Sequence, residues 1–236
     1  MTVQPKTERV KEMFDHIAPT YDRLNHILSL SIDKIWRRRV VRRVLKLGAK
    51  EILDVATGTG DLAIAMARKI EGSTICGVDL SPEMLEVART KVLKLGLSER
   101  ISLMEGNAEH LELDSESVDA VTIAFGIRNF ENKEVCLAEL NRIIRPGGHL
   151  VILEFSNPTN PLINLLYRFY SHKVLPWVGG IISKNRSAYE YFRREGRDEL
   201  RKAVCDAFDR LSCKYNPIVM EGAGSVSELN LRDTDL

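Results

Sequence analysis

The run Asp54-Val55-Ala56-Thr57-Gly58-Thr59-Gly60-Asp61 places a glycine-rich turn between a short apolar stretch and the apolar residues that begin at Leu62. Glycine has no side chain and tolerates a left-handed backbone, so such a turn lets a bound molecule lie directly against the chain. A pyrophosphate site would use Gly-x-Gly-x-x-Gly and rest the phosphates on a helix N-terminus. Here the turn has Gly58 and Gly60 alone, and Asp61 stands just inside the following helix. An acid at that place repels a pyrophosphate. It suits a molecule with a positive centre and an amino-acid tail, such as S-adenosylmethionine. Taken alone, the segment also reads as a purely structural turn. Asp79 lies roughly 20 residues beyond the turn, the interval at which an open α/β sheet offers a carboxylate to ribose hydroxyls. An ordinary strand-end acid is the alternative reading of that residue. Asn107, with the neighbouring backbone amide, could hold an adenine edge.

These residues need elements that bring them together. Residues 52–55 read as a buried strand and 62–70 as a helix; 73–79 form a second strand that ends on Asp79. Ser81-Pro82 starts the next helix with a cap and a proline at the first helical position. Further strands are expected at 101–105, 117–125 and 149–155, and a helix at 132–144. Short strands rich in Val, Ile and Leu alternate with helices throughout. The expected fold is therefore α/β: a doubly wound, mainly parallel sheet covered on both faces. The candidate site residues all fall at the carboxyl ends of strands, where such sheets bind ligands.

Four motifs carry a family resemblance. They are Met13-Phe-Asp-x-Ile-Ala-Pro-x-Tyr-Asp22 with Asn25, Ser29 and Trp36; Val55-Ala-Thr-Gly-Thr-Gly-Asp61; Ala124-Phe-Gly-Ile-Arg-Asn-Phe130; and Arg142-Ile-Ile-Arg-Pro-Gly-Gly-His-Leu-Val-Ile-Leu-Glu-Phe-Ser156. On these, residues 10 to about 190 resemble the C-methyltransferases of ubiquinone and menaquinone biosynthesis. Three positions depart from the pattern: Leu24 where Met is common, Asp33 where His is common, and Ala124 where some members have Ser. The resemblance implies a Rossmann-like class I methyltransferase sheet and S-adenosylmethionine as methyl donor. It implies Asp79 on the ribose hydroxyls, Asn107 and Ala108 at the adenine, and Gly58 and Thr59 at the methionine end. Asp54 and Asp61 become partners of the ammonium group or of water bound to it. The implied reaction is C-methylation of a prenylated quinol, demethylmenaquinol or the benzoquinol precursor of ubiquinol. A phenolate would push electron density onto the ring carbon. Arg128 is expected to stabilise it rather than act as the base, because a guanidinium does not give up its proton. Tyr21 and Asp22 are candidates for shaping the substrate pocket. None of the histidines is assigned as a base, and no metal site is expected.

The expected organisation is an N-terminal helical cap (1–47), a cofactor-binding core (48–156), a helical substrate lid (157–192) and an atypical tail (193–236). In the cap, Ile32, Trp36, Val40 and Val44 recur every fourth residue, while Lys34, Arg37, Arg38, Arg39, Arg42, Arg43 and Lys46 fill the rest. This reads either as a solvated basic face or as a surface for peripheral contact with an anionic membrane, where a prenyl tail resides. Nucleic acid is a poorer partner, since the net charge is only +1 and aromatic interleaving is missing. The apolar stretch 161–182 is interrupted by Arg168, His172 and Lys173, so it is too polar to span a bilayer. With 44% apolar and 28% charged residues in 236, the chain can bury one sizeable core. The N-terminal residues are polar, without a secretory signal. Cys76, Cys136, Cys205 and Cys213 show no Cys-x-x-Cys spacing. A cytoplasmic enzyme, working at the inner face of the membrane, fits these features; a homo-oligomer is compatible with them.

The tail departs from the family's usual ending of a further helix and two antiparallel strands. Residues 193–236, with Glu221-Gly-Ala-Gly224, resemble instead a fragment of cobyric acid synthase. No Gly-x-x-x-x-Gly-Lys-Ser/Thr loop occurs in the chain, so phosphate cradling has no visible means. Two further readings follow: a non-catalytic S-adenosylmethionine-binding remnant, and a ligase-like nucleotide binder led by the tail. A sheet without its final strands would expose an edge unless residues 218–220 supply a substitute.

Overall fold

The computed structural model describes residues 5–29, 31–155 and 218–223. The expected helical lid at 157–192 and most of the tail lie outside the described residues. Three helices come first: α1 (Lys6–Ile17), α2 (Tyr21–Leu28) and α3 (Ile32–Lys46). The core then alternates β1 (Glu51–Val55), α4 (Asp61–Lys69), β2 (Thr74–Asp79), α5 (Pro82–Lys94), β3 (Ile101–Glu105), β4 (Val118–Ala124), α6 (Lys133–Ile143) and β5 (Ile144–Phe155). A last strand, β6 (Ile218–Ala223), follows.

The sheet is six-stranded, in the order β3-β2-β1-β4-β5-β6, and every pairing is parallel. Strand order reverses between β1 and β4, which opens a crevice at their carboxyl ends. The expected doubly wound sheet is present. β6 pairs with β5 from Leu150↔Ile218 to Phe155↔Ala223, so residues 218–220 do lie in a strand at the β5 edge.

Both faces of the sheet are covered, which is why the strands are continuous apolar runs rather than alternating ones. On one face Ile52, Val151 and Leu153 pack with Leu62 and Met66 of α4 and with Val40 and Val44 of α3. On the other, Leu53, Val121 and Ile123 pack with Leu137, Leu140 and Ile143 of α6. Local chemistry sets the helix starts. The Ser81 hydroxyl accepts the Met84 N–H at 3.1 Å to cap α5, and Asn132 caps α6 through the Val135 N–H. The far end of α4 is closed by Arg100, which donates to the carbonyls of Ala67, Ile70 and Ser73.

Two expectations change. β5 starts at Ile144 rather than 149, because Gly147 takes φ +79° and lets the chain pass through Arg-Pro-Gly-Gly with a register shift against β4. In α3, Ile32 is 41% exposed, whereas Asp33 is 4% exposed. The first turn of that helix turns an acid inward, and the apolar stripe begins only further along.

Candidate functional site

The glycine turn is held by a carboxylate. Ala56, the residue after β1, takes φ +55°, and Gly58 and Gly60 take φ +56° and +78°. A Cβ on Gly60 would lie 3.1 Å from that of Ala88, so α5 also requires glycine there. Asp79 Oδ2 accepts the Gly58 N–H at 2.7 Å, and its Oδ1 accepts the Ser81 N–H at 3.0 Å. Burial pushes the Asp79 carboxyl up, while these amides pull it down. The amide of Gly58 is thus turned to an acid of the protein rather than presented to a phosphate.

Asp54 lies at 1% exposure in β1. It accepts the Thr57 hydroxyl at 2.7 Å and the Thr122 hydroxyl at 2.6 Å. Burial raises its pKa to about 6; the two hydroxyls oppose this and the neighbouring Asp79 adds to it.

Asp79, Asn107 and Ala108 line one cavity with Val55, Ala56, Gly106, Gly126 and Asn129. Asn107 Oδ1 accepts the Glu109 N–H at 3.0 Å, which fixes the loop after β3. The roof is α1, through Thr7, Val10, Lys11 and Phe14. It is fastened at both ends. Ser81 donates to Asp15 at 2.6 Å, and at the other end Thr7 binds Glu131 while Lys6 donates to the Arg128 carbonyl at 3.0 Å. Sequence reasoning placed a cap over the core but did not find this roof. Its signal was the apolar spacing of Val10, Phe14 and Ile17 within 6–17.

Asp22 and Thr59 meet in a charged cluster beside the turn. Thr59 donates to Asp22 Oδ1 at 2.5 Å, and Lys91 donates to Asp22 Oδ2 at 2.8 Å and also to Asp61. Arg37 pairs with Asp61 at 3.1 Å and with Asp33, and Asp33 is also bound by His26 at 2.9 Å and Ser29 at 2.6 Å. Arg37, expected on the solvated basic face, is therefore only 13% exposed. Tyr21 stands edge-on to Phe14 with ring centroids 6.0 Å apart, and burial raises its phenol pKa. Arg128 sits in the short turn after β4 and pairs with Glu154 of β5 at 2.5 Å, with 15% and 11% of the side chains exposed. Glu154 lies within the strand expected at 149–155, and nothing in the sequence pairs it with Arg128.

The donor set fits a cationic cofactor. Asp79 lines the cavity and takes the Gly58 amide, Asp54 is enclosed at the end of β1, Asp61 is paired with Lys91 and Arg37, and the rest of the cavity wall is largely apolar. Such a site attracts a sulfonium and an ammonium and repels phosphate. The model of the ubiE/COQ5 methyltransferase family matches residues 2–204.

The chain belongs to that family. The match includes residues 193–204, so the methyltransferase resemblance runs past the point where the tail was expected to depart. The chain is 45% identical over 186 residues to the demethylmenaquinone methyltransferase of Bacteroides fragilis, covering 79% of this chain and 76% of that protein. It is 49% identical over 181 residues to the ubiquinone/menaquinone biosynthesis C-methyltransferase UbiE of Syntrophotalea carbinolica, covering 77% and 75%. A Thermus thermophilus demethylmenaquinone methyltransferase is 48% identical over 179 residues, covering 76% and 80%. Among solved structures, one described as an S-adenosyl-L-methionine-dependent methyltransferase from Methanococcus maripaludis superposes with a TM-score of 0.62 at 19% identity, over 93% of this chain and 91% of that one. The [4+2]-cyclase SpnF gives 0.53 at 22% identity, over 61% and 58%. Both show the fold. This ubiE/COQ5 family member is a methyltransferase. Nothing in the comparisons favours a nucleotide ligase.

Proposed function

We propose that this methyltransferase methylates a ring carbon of a prenylated quinol, a demethylmenaquinol or the benzoquinol precursor of ubiquinol. The observation that carries the reading is the acid-rimmed glycine turn opening onto a cavity at the β1/β4 crossover, joined to the match with the ubiE/COQ5 methyltransferase family. When bound, S-adenosylmethionine supplies the methyl group as a sulfonium. The chain holds and screens it. Asp79 anchors the ribose while keeping the Gly58 turn in place; Asn107 and Ala108 flank the adenine.

 Both Asp79 oxygens are already oriented by backbone amides, so binding asks for little rearrangement around that carboxylate. Thr59 and Gly58 border the methionine end, and Asp54 and Asp61 place negative charge toward its ammonium. Tyr21 and Asp22 shape the substrate side, and Arg128 stabilises the negative oxygen that develops on the quinol. The roof formed by α1 keeps water from the reacting atoms.

The reading assigns 1–47 to a cap and 48–156 to the cofactor-binding core. It also places the protein against the inner, anionic face of a membrane. The exposed side of α3 supports this: Ile35 and Leu45, 49% and 42% exposed, stand among the exposed Lys34, Arg38, Arg39, Arg42 and Lys46, a basic face with aliphatic side chains able to enter the headgroup region. Among the described residues no helix is long and apolar enough to cross a membrane.

The test is calorimetric titration with S-adenosylmethionine, with Asp79→Ala as control, followed by anaerobic turnover of reduced short-chain naphthoquinols and benzoquinols. Saturable binding that Asp79→Ala abolishes, with methylation of one of the quinols, is the expected result. Binding without any turnover would leave a cofactor-binding protein and refute the reading.

A further inference from the structure

Arg128 and Glu154 leave the sheet side by side. β4 and β5 are in register at Ala124↔Leu153, and the Phe125 N–H is bound by the Leu153 carbonyl at 2.8 Å. The next residue of β5 is Glu154, and the turn after β4 carries Arg128. Gly126, two residues before that arginine, and Asn129, the residue after it, line the cofactor cavity. The ion pair therefore stands at the carboxyl edge of the sheet, one residue from the cavity-lining Asn129, with little exposure to water.

We propose that Glu154 is the general base that removes the quinol hydroxyl proton, with Arg128 as its electrostatic partner. This inference rests on the quinol-methylating reading above. The chemistry of the pair selects the acceptor: the guanidinium stays protonated, so only the carboxylate can take a proton. Four other carboxylates near this edge are engaged elsewhere. Asp54 is bound by two threonine hydroxyls, Asp79 by two backbone amides, Glu109 by the Asn132 N–H and Glu131 by Thr7. Glu154 is held by the same guanidinium that would face the developing phenolate. A planar fork of donors can hold a carboxylate and a phenolic oxygen on adjoining edges, within hydrogen-bond reach of each other.

In the step, the quinol O–H bond breaks, its proton bonds to a Glu154 oxygen, and the electron pair stays on the phenolic oxygen beside Arg128. That charge raises electron density at the adjacent ring carbon, which bonds to the methyl carbon as the methyl–sulfur bond of the sulfonium breaks and its electron pair stays on sulfur. The methylated carbon then loses its hydrogen as a proton to water and aromaticity returns. The phenolic oxygen regains a proton from Glu154, so one proton is released overall.

The experiment compares the wild-type chain with Glu154→Gln and Glu154→Asp, anaerobically, from pH 6 to 9. S-adenosylmethionine affinity, read by calorimetry, should stay within about threefold of wild type in both variants, since neither residue of the pair lines the cofactor cavity. Turnover of Glu154→Gln should fall by about 10²–10⁴-fold at pH 7, the usual range for loss of a general base. It should then rise about tenfold per pH unit toward pH 9, as the unassisted quinol ionises. Glu154→Asp should recover part of the rate. A rate in Glu154→Gln within threefold of wild type overturns the proposal, as does a loss of equal size at every pH, which marks a structural role. Should Glu154→Gln lose cofactor binding, Glu154→Ala read at saturating cofactor decides by the same two criteria. Failure of the wild-type chain to methylate any quinol removes the functional reading and this inference with it.

Discussion

Asp54→Asn tests the electrostatics of the site directly. The Asp54 carboxyl is fully enclosed and its pKa stands at about 6 instead of 3.8. In the unfolded chain the group ionises near its ordinary value; in the fold it keeps its proton until about pH 6. Between those values the native state binds more protons than the unfolded state, so stability falls as pH rises through that window. The distance from 3.8 to about 6, at about 1.4 kcal/mol per pH unit, corresponds to about 3 kcal/mol as a ceiling. Asparagine has the same shape and carries no charge. Its carbonyl can accept one threonine hydroxyl, and its amide can donate to the other after that hydroxyl rotates. The variant should match wild type within about 1 kcal/mol near pH 4.5 and exceed it by about 1–3 kcal/mol at pH 8. For a chain of this length that gain raises the melting temperature by about 2–10 °C. Thermal and urea unfolding of both proteins across pH 4.5–8, without cofactor, measures the difference. Asp79, whose carboxyl is raised in the same direction, leaves a slope of its own in both proteins, and its coupling to Asp54 adds to the difference between them in the same direction. A difference that is constant with pH, or a variant less stable than wild type at pH 8, would refute the reasoning.

The same titration governs binding if Asp54 faces the ammonium of the cofactor. S-adenosylmethionine affinity should then weaken about tenfold from pH 7 to pH 5, and calorimetry in buffers of different ionisation enthalpy should register proton release near pH 6. Lys91→Ala leaves Asp22 and Asp61 without their shared cation. It should cost about 1–2 kcal/mol at low salt, a loss that narrows as salt is added, in denaturant unfolding at two ionic strengths. Gly126→Ala puts a Cβ 2.5 Å from that of Ala56 and should cost about 1–3 kcal/mol. Adding Ala56→Gly, which also suits the φ of +55° there, should restore most of the stability in the same assay.

Much of the fold was legible because its determinants are local. Val-, Ile- and Leu-rich runs, the Ser81-Pro82 helix start and the Gly58–Gly60 turn each specify their own segment with residues a few positions apart. Together they imply an alternating α/β order, and the parallel sheet follows from it. The spacing from the turn to Asp79 marked a ligand edge for the same reason: a strand–turn–helix–strand unit has a nearly fixed length. Where the sequence reading slipped, a distant partner was responsible. The periodicity of α3 put Ile32 on the buried side, but His26, Ser29 and Arg37 gather round Asp33 and turn that acid inward. The start of β5 was placed too late because its first residues extend only by pairing with Val118 and its neighbours.

By itself the sequence determined the fold class, the glycine turn, the acids at strand ends and the family, since these depend on residue type and short-range order. The tertiary structure decided which groups meet. Asp79 turns to the Gly58 amide, Asp22 to Thr59 and Lys91, Lys6 to the Arg128 carbonyl and Arg128 to Glu154. Each of these contacts joins residues far apart in the chain. Their energies depend on distance, burial and the direction of a side chain, and those exist only once the helices have packed on the sheet.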